Sequence, residues 1–131
     1  METTNKIIKL IVEKTDTGYS AYAVDYPIFT TGQTITDLQN SAFEAANLYF
    51  EDENVPIARE ELKFEIDFHQ FFKYYNVLNA KFLARRIGMN PTLLSQYING
   101  KKKPSEAQAE KIINGIHEIG NELSEISLIH R

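Results

Sequence analysis

Basic, hydroxyl and amide side chains are concentrated between residues 79 and 105, a segment with six basic residues and no acidic one. Basic groups attract phosphates, whereas hydroxyl and amide groups can form hydrogen bonds with base edges as well as with phosphates. The segment is therefore a candidate surface for double-stranded DNA. The candidate DNA-binding residues are Lys81, Arg85, Asn90, Thr92, Ser95, Gln96, Asn99, Lys101, Lys102 and Lys103.

Two short helices must hold these side chains in place. Apolar residues at helical spacing, from Phe82 to Ile87, predict a first helix, which Gly88 can close in a left-handed conformation. Asparagine is a favoured N-cap and proline is favoured at the first helical position, so Asn90 and Pro91 predict a second helix that runs to about Ile98. Its inward side would carry Leu94, Tyr97 and Ile98, and its opposite, polar side would carry Thr92, Ser95, Gln96 and Asn99.

The second helix has the size and polarity that readout of the major groove requires. Gln96 is the best candidate for a bidentate contact with adenine, and Thr92 and Ser95 can serve bases or phosphates. Arg86 would add to the sequence-independent attraction to phosphate. An ordinary helical hairpin with a solvated basic face has the same spacing, so the spacing alone leaves that alternative open.

The segment from Leu83 to Ser105 closely resembles the helix-turn-helix of the Xre and Cro/lambda-repressor-like families, which implies operator DNA as a partner. Those families often have glutamine where this chain has Pro91, so base readout would shift to Thr92, Gln96 and Asn99. The residues that carry the resemblance are Leu83, Ala84, Gly88, Leu94, Ser95, Tyr97, Asn99, Gly100, Pro104 and Ser105.

The composition is ordinary for a globular protein of one or two domains, with 131 residues, 43% of them apolar and 24% charged. No apolar run has the length of a membrane span or signal peptide, so we expect a cytoplasmic protein. The chain has no cysteine, which excludes disulfides and thiolate zinc sites, and its three histidines are dispersed. We expect neither a metal nor another cofactor.

The charges divide the chain into two halves. Residues 1–66 contain twelve acidic and five basic residues, a net charge of −7, whereas residues 67–131 contain six acidic and nine basic residues, a net charge of +3. The basic half suits nucleic acid and the acidic half suits a cationic partner, although an acidic surface also serves solubility. We therefore predict two domains, residues 1–66 and residues 67–131.

The first half has the pattern of a small α+β domain. Ile7–Val12 and Tyr19–Val24 are predicted strands of a hairpin, followed by a short strand at Ile28–Thr31. Thr36 is the predicted N-cap of a helix, with Gln39 completing a capping box. Residues 62–68 alternate apolar with polar side chains and predict a last strand. We expect a three- to four-stranded antiparallel sheet with one helix, followed by an all-α helix-turn-helix domain.

This half resembles the HicB antitoxin family, whose N-terminal domain has a partial RNase H-like fold. The resemblance lies in Gly18–Pro27, in the Gly-x-Thr of residues 32–34, and in the alanine-rich helix with Ala42, Ala45 and Ala46. Ile28 departs from the pattern, because a glycine is usual there. The resemblance implies an antitoxin of a type II toxin-antitoxin system that neutralises a HicA-like mRNA interferase and represses its own operon.

An enzymatic alternative follows from the RNase H relationship, because nucleases of that kind need several carboxylates around Mg²⁺. The candidates are Asp16, Asp25, Asp37 and Glu44. Carboxylates beside turns and helix starts usually serve backbone hydrogen bonds or the helix dipole, so we predict that the protein is not an enzyme.

The last segment predicts a long amphipathic helix with Ser105 as N-cap and Gln108 three residues later. Its apolar residues cover the helix-turn-helix and extend further along the chain, which favours a homodimer or higher homo-oligomer. Alternatively, all of them pack within one chain. A dimer would present two recognition helices roughly 34 Å apart to a palindromic operator.

The sequence therefore favours a HicB-like antitoxin and autorepressor. An alternative from another functional class is a stand-alone Xre-like transcriptional regulator whose N-terminal domain binds a small ligand or another protein. A small toxin-like reading frame beside the gene would favour the antitoxin.

Overall fold

The computed structural model describes residues 6–53 and 55–127. Contacts divide the chain into two compact units, residues 1–74 and residues 75–131. The domain boundary predicted from charge, between residues 66 and 67, stays a prediction. Among the described residues, no helix combines the length and the apolar character needed to cross a membrane.

The first unit begins with three antiparallel strands, β1 (Ile8–Thr15), β2 (Gly18–Ala23) and β3 (Phe29–Gly32). Thr15 pairs with Gly18, so the predicted hairpin is present with a two-residue turn. β1 and β2 place Ile8, Leu10, Val12 and Ala21 on one face of the sheet, where they are buried. The alternation expected of a half-buried sheet is therefore confirmed.

Helix α1 (Ile35–Tyr49) covers this face with Leu38, Ala42 and Ala46. The predicted N-cap, Thr36, was wrong by two residues. Thr34 has the extended backbone of an N-cap, and its hydroxyl accepts a hydrogen bond of 3.0 Å from the backbone N–H of Asp37. Thr36 lies in the first turn instead, because Thr34 already supplies the side-chain acceptor that the first helical amides require.

After α1 the chain returns to the sheet through a short connection, which the side chain of Asn47 holds by a hydrogen bond. Its Oδ1 accepts a 2.8 Å hydrogen bond from the N–H of Ile57. After a single 3₁₀ turn, the fourth strand, β4 (Leu62–Ile66), pairs with β1 in parallel, with Ile8 opposite Leu62. The strand order is β3-β2-β1-β4.

The expected α+β fold is confirmed, but the sheet is mixed and the prediction of a wholly antiparallel sheet was wrong for β4. β3 and β4 run in the same direction because α1 lies between them as a crossover along one face of the sheet.

Helix α2 (Phe68–Tyr74) belongs to the first unit. Gln70 ties it to β1, since its Oε1 accepts from Lys14 N at 2.9 Å and its Nε2 donates to Lys14 O at 2.7 Å. Phe68 and Phe72 of this helix are buried.

The second unit contains the remaining helices: α3 (Ala80–Ile87), α4 (Pro91–Ile98) and α5 (Glu106–Ser124). The predicted all-α domain with two short helices and one long helix is therefore present. The later unit boundary transfers one acid, Asp67, and one base, Lys73, so the net charges of the two units are still −7 and +3.

Candidate nucleic-acid interface

Helix α3 begins and ends with motifs encoded locally. The Asn79 side chain accepts a 3.1 Å hydrogen bond from the N–H of Phe82. At the other end Gly88 has φ of +70°, its N–H donates to Arg85 O, and the N–H of Met89 donates to Ala84 O. These two bonds form a Schellman motif, which needs a left-handed residue and therefore favours glycine.

Helix α4 starts two residues later, at an N-cap that a candidate DNA-binding residue supplies. Asn90 Oδ1 accepts from the N–H of Thr92 at 2.8 Å and of Leu93 at 3.4 Å. Pro91 occupies the first turn, where its missing N–H costs no helical hydrogen bond. The Asn90 side chain therefore uses its oxygen inside the protein, and its Nδ2 group is the part that can donate to a phosphate.

A second Schellman motif ends α4 and positions the lysine run. Gly100 has φ of +75°, its N–H donates to Tyr97 O at 3.2 Å, and the N–H of Lys101 donates to Gln96 O at 2.9 Å. The N–H of Lys102 also donates to Gln96 O, at 3.2 Å. The start of the lysine run is thereby fixed to the last turn of α4.

The two sides of α4 differ as the sequence predicted. Leu94 and Tyr97 are buried and Ile98 is partly buried, whereas Thr92, Ser95 and Asn99 are exposed and Gln96 is partly exposed. Asn99 Nδ2 donates to Ser95 Oγ at 3.3 Å, which joins two of the exposed polar side chains. The exposed stripe of α4 thus offers hydroxyl and amide groups suited to base edges and phosphates.

The cations of α3 fall into two groups. Lys81 and Arg85 are exposed, and the Arg85 guanidinium lies 5.2 Å from the centre of the Phe82 ring. Arg86 instead forms an ion pair with Glu122 of α5. Part of the phosphate attraction expected of Arg86 is therefore balanced by a carboxylate, whereas Lys81 and Arg85 stay candidates for phosphate contact.

Helix α5 packs against α3. Its predicted N-cap is confirmed, because Ser105 Oγ accepts from the N–H of Gln108 at 3.2 Å. Ile112 and Gly115 are buried, and a Cβ at Gly115 would collide with the side chain of Ile87. The close packing of α5 on α3 therefore depends on this glycine, a role that helical spacing in the sequence did not reveal.

The last turn of α5 and the residues directly after it are different, because their apolar side chains are exposed. Leu123 and Ile126 are 60% and 63% exposed. Within the described residues, the apolar stripe of this helix is thus only partly covered by its own chain.

The sequence-predicted site residues lie on three adjoining parts of the second unit: Lys81 and Arg85 on α3, residues 90–99 on α4 and its caps, and Lys101–Lys103 directly after it. Sequence reasoning missed the hydrogen bonds that Gln96 O accepts from the lysine run. The Asn-Gly pair that follows α4 was the available signal, since it marks a left-handed helix end. Whether these residues bind DNA stays a prediction.

Residues 78–117 match a helix-turn-helix family model. No curated protein matches the chain. The match begins just before α3 and ends within α5, so it spans the two capped helices and the part of α5 that packs on α3. It confirms the Xre-like helix-turn-helix, leaves the HicB resemblance of the first unit as a prediction, and supports a DNA-binding transcription regulator.

Proposed function

We propose that this protein is the antitoxin of a type II toxin-antitoxin pair. The first unit binds and occludes a small basic HicA-like mRNA interferase, and the second unit binds operator DNA and represses the operon. The observation that carries the proposal is the division of charge, −7 in the unit of residues 1–74 and +3 in the unit that contains the helix-turn-helix. One surface suits a cationic protein and the other suits phosphates.

The toxin part of the proposal draws on the HicB resemblance of residues 18–46 and on electrostatics. A toxin that cleaves mRNA must present a positive surface to its substrate. A strongly acidic domain accelerates encounter with such a surface and disfavours partners of the same charge.

The operator part of the proposal assigns base readout to the exposed stripe of α4. Gln96 would contact adenine, Thr92, Ser95 and Asn99 would assist, and the cations around them would hold the phosphates. We propose a homodimer formed through Leu123 in the last turn of α5 and Ile126 directly after it, since both apolar side chains are exposed beyond the part of α5 that packs within the second unit. Two recognition helices would then meet the two halves of a palindromic site.

We further propose that the protein acts in the cytoplasm and is not an enzyme. Asp37 and Glu44 are seven residues apart on α1, which separates their Cα atoms by about 10 Å along the axis. A two-metal site needs several carboxylates that converge on the ions. Asp16 lies in the hairpin turn between β1 and β2.

The test combines co-expression with a reporter. The full chain is co-expressed with the product of the adjacent small reading frame, and growth, co-purification and repression of the operon promoter are measured. We expect rescue of growth, a stable complex, and two chains per palindromic operator site.

Gln96→Ala provides the internal control, because it should relieve repression and leave the rescue of growth intact. Absence of both toxicity and a complex, with repression retained, would replace the antitoxin by a stand-alone regulator whose first unit has another ligand.

A further inference from the structure

The solvent side of α1 exposes large apolar side chains at its C-terminal end. Leu48 is 68% exposed and Tyr49 is 47% exposed. A single exposed leucine is ordinary on a protein surface, so these two residues gain significance only from their surroundings.

The surroundings are acidic. Glu44 is exposed one helical turn before Leu48, and Glu51 and Asp52 are exposed directly after the helix. The helix itself contains no lysine or arginine, and the C-terminal end of a helix carries the negative end of its dipole. Apolar side chains rimmed by carboxylates match the anatomy of a site for a cationic protein.

The neighbouring cations are engaged in other contacts. Lys6 Nζ lies 2.6 Å from Glu53 Oε2 and 4.8 Å from the centre of the Phe50 ring. Arg59 donates to Asn40 Oδ1 at 2.9 Å and stacks over the Phe43 ring at 4.3 Å. The negative sign of this surface is therefore only partly compensated by the basic residues beside it.

The ring of Tyr49 packs against two neighbouring aromatic rings. Its centre lies 4.7 Å from that of Phe50, which is buried, and 6.0 Å from that of Tyr26. A side chain that already packs on its neighbours loses less conformational entropy on binding than a fully solvated one, which favours Tyr49 as an anchor.

The helix-free face of the sheet is the competing surface in this unit. Tyr22 and Phe29 lie opposite each other there, and Phe29 is 66% exposed. The charges on that face are mixed. Lys9 forms an ion pair with Glu65 at 3.6 Å, and Lys63 of β4 lies opposite Lys9 of β1. This face therefore has apolar area without a preference for a cationic partner.

We infer that the small basic toxin docks on the C-terminal half of α1, with Leu48 and Tyr49 as apolar anchors and Glu44, Glu51 and Asp52 as the carboxylate rim. The inference rests on the proposed antitoxin function, and it specifies which face of the first unit carries that function. The carboxylates steer the encounter, and the two apolar side chains determine how slowly the complex dissociates.

The experiment measures binding of the full-length chain to the purified product of the adjacent small reading frame by calorimetry and stopped-flow mixing. The anchor variant is Leu48→Arg, and the matched control is Phe29→Arg, which adds the same charge at an equally exposed apolar residue on the other face. We expect Leu48→Arg to weaken binding by about tenfold or more and Phe29→Arg to change it by less than about twofold. The pair Glu51→Gln and Asp52→Asn should slow association and reduce its salt dependence.

Two outcomes distinguish the two proposals, and a control excludes unfolding of the variant. If the wild-type chain does not bind this product, the antitoxin function fails and the docking face fails with it. If the wild type binds and Leu48→Arg binds equally well, the docking face is wrong and the antitoxin function stands. Unchanged operator binding and circular dichroism of Leu48→Arg would show that a loss of toxin binding is not caused by unfolding.

Discussion

Helices α1 and α4 both bury one side in a small core, but their exposed sides have opposite properties. α1 exposes carboxylates together with Leu48 and Tyr49, whereas α4 exposes short hydroxyl and amide groups and is followed by three lysines. The apolar side of each helix determines how it packs, and the exposed side determines which partner it can meet. The two helices therefore present different chemistry to solvent, which is the basis of the two binding roles proposed for them.

The largest effect should come from removing the side chain that anchors α4. Leu94 is fully buried, so Leu94→Ala should lower the free energy of unfolding of the second unit by about 2–5 kcal/mol through lost apolar burial and a residual cavity. Unfolding by denaturant is monitored twice, once through operator binding, which reports on the second unit, and once through toxin binding, which reports on the first unit. Thr92→Ala, on the exposed side of the same helix, is the control and should change stability by less than about 0.5 kcal/mol. If Leu94→Ala reduced toxin binding as much as operator binding, the two binding surfaces would not be independent.

The next effect concerns the three lysines after α4. Replacing Lys101, Lys102 and Lys103 with glutamine should reduce the magnitude of the slope of log affinity against log salt concentration by about 2–3, because each phosphate contact releases close to one counterion. Fluorescence anisotropy with operator DNA between 50 and 200 mM salt measures the slope. Lys63→Gln, an exposed lysine of the first unit, is the matched control. A slope that is unchanged in the triple variant would place these lysines away from the DNA.

The smallest effect concerns Asn90, which is both the N-cap of α4 and a candidate DNA contact. Asn90→Ala should lower the free energy of unfolding of the second unit by about 0.5–2 kcal/mol, since the first amides of α4 lose their side-chain acceptor. Asn90→Asp retains that acceptor and should keep most of the stability, yet it adds a negative charge and removes the Nδ2 donor, so operator affinity should fall. Thermal melts and anisotropy on the same samples check both parts. Equal operator affinity of Asn90→Asp and the wild type would limit Asn90 to capping.

The helix-turn-helix was the part of the protein most accessible from sequence. Asn79, Gly88, Asn90, Pro91, Gly100 and Ser105 each act on amides or carbonyls within a few residues, so the bounds of α3, α4 and the start of α5 follow from local chemistry. The position of candidate residues on the exposed side of α4 follows from the 3.6-residue period. By the same logic, the error at the start of α1 arose because two threonines, Thr34 and Thr36, both qualified as N-caps.

Long-range features were inaccessible for an equally physical reason. The pattern of residues 62–66 indicates a strand but contains no information about its neighbour, and the parallel pairing with β1 depends on how α1 crosses the sheet. The Gln70 bridge to Lys14 and the Arg86 pair with Glu122 join residues far apart in the chain. Such contacts exist only after the elements have packed.

The sequence by itself determined the α+β and helical composition, the opposite charges of the two halves and the local ends of the helix-turn-helix, because these depend on residue type and near neighbours. The tertiary structure alone decided the mixed strand order, the contact of Gly115 with Ile87, and the juxtaposition of Tyr49 with Tyr26. Those depend on distances between segments that are remote in the chain, and side-chain packing sets such distances only in the folded protein.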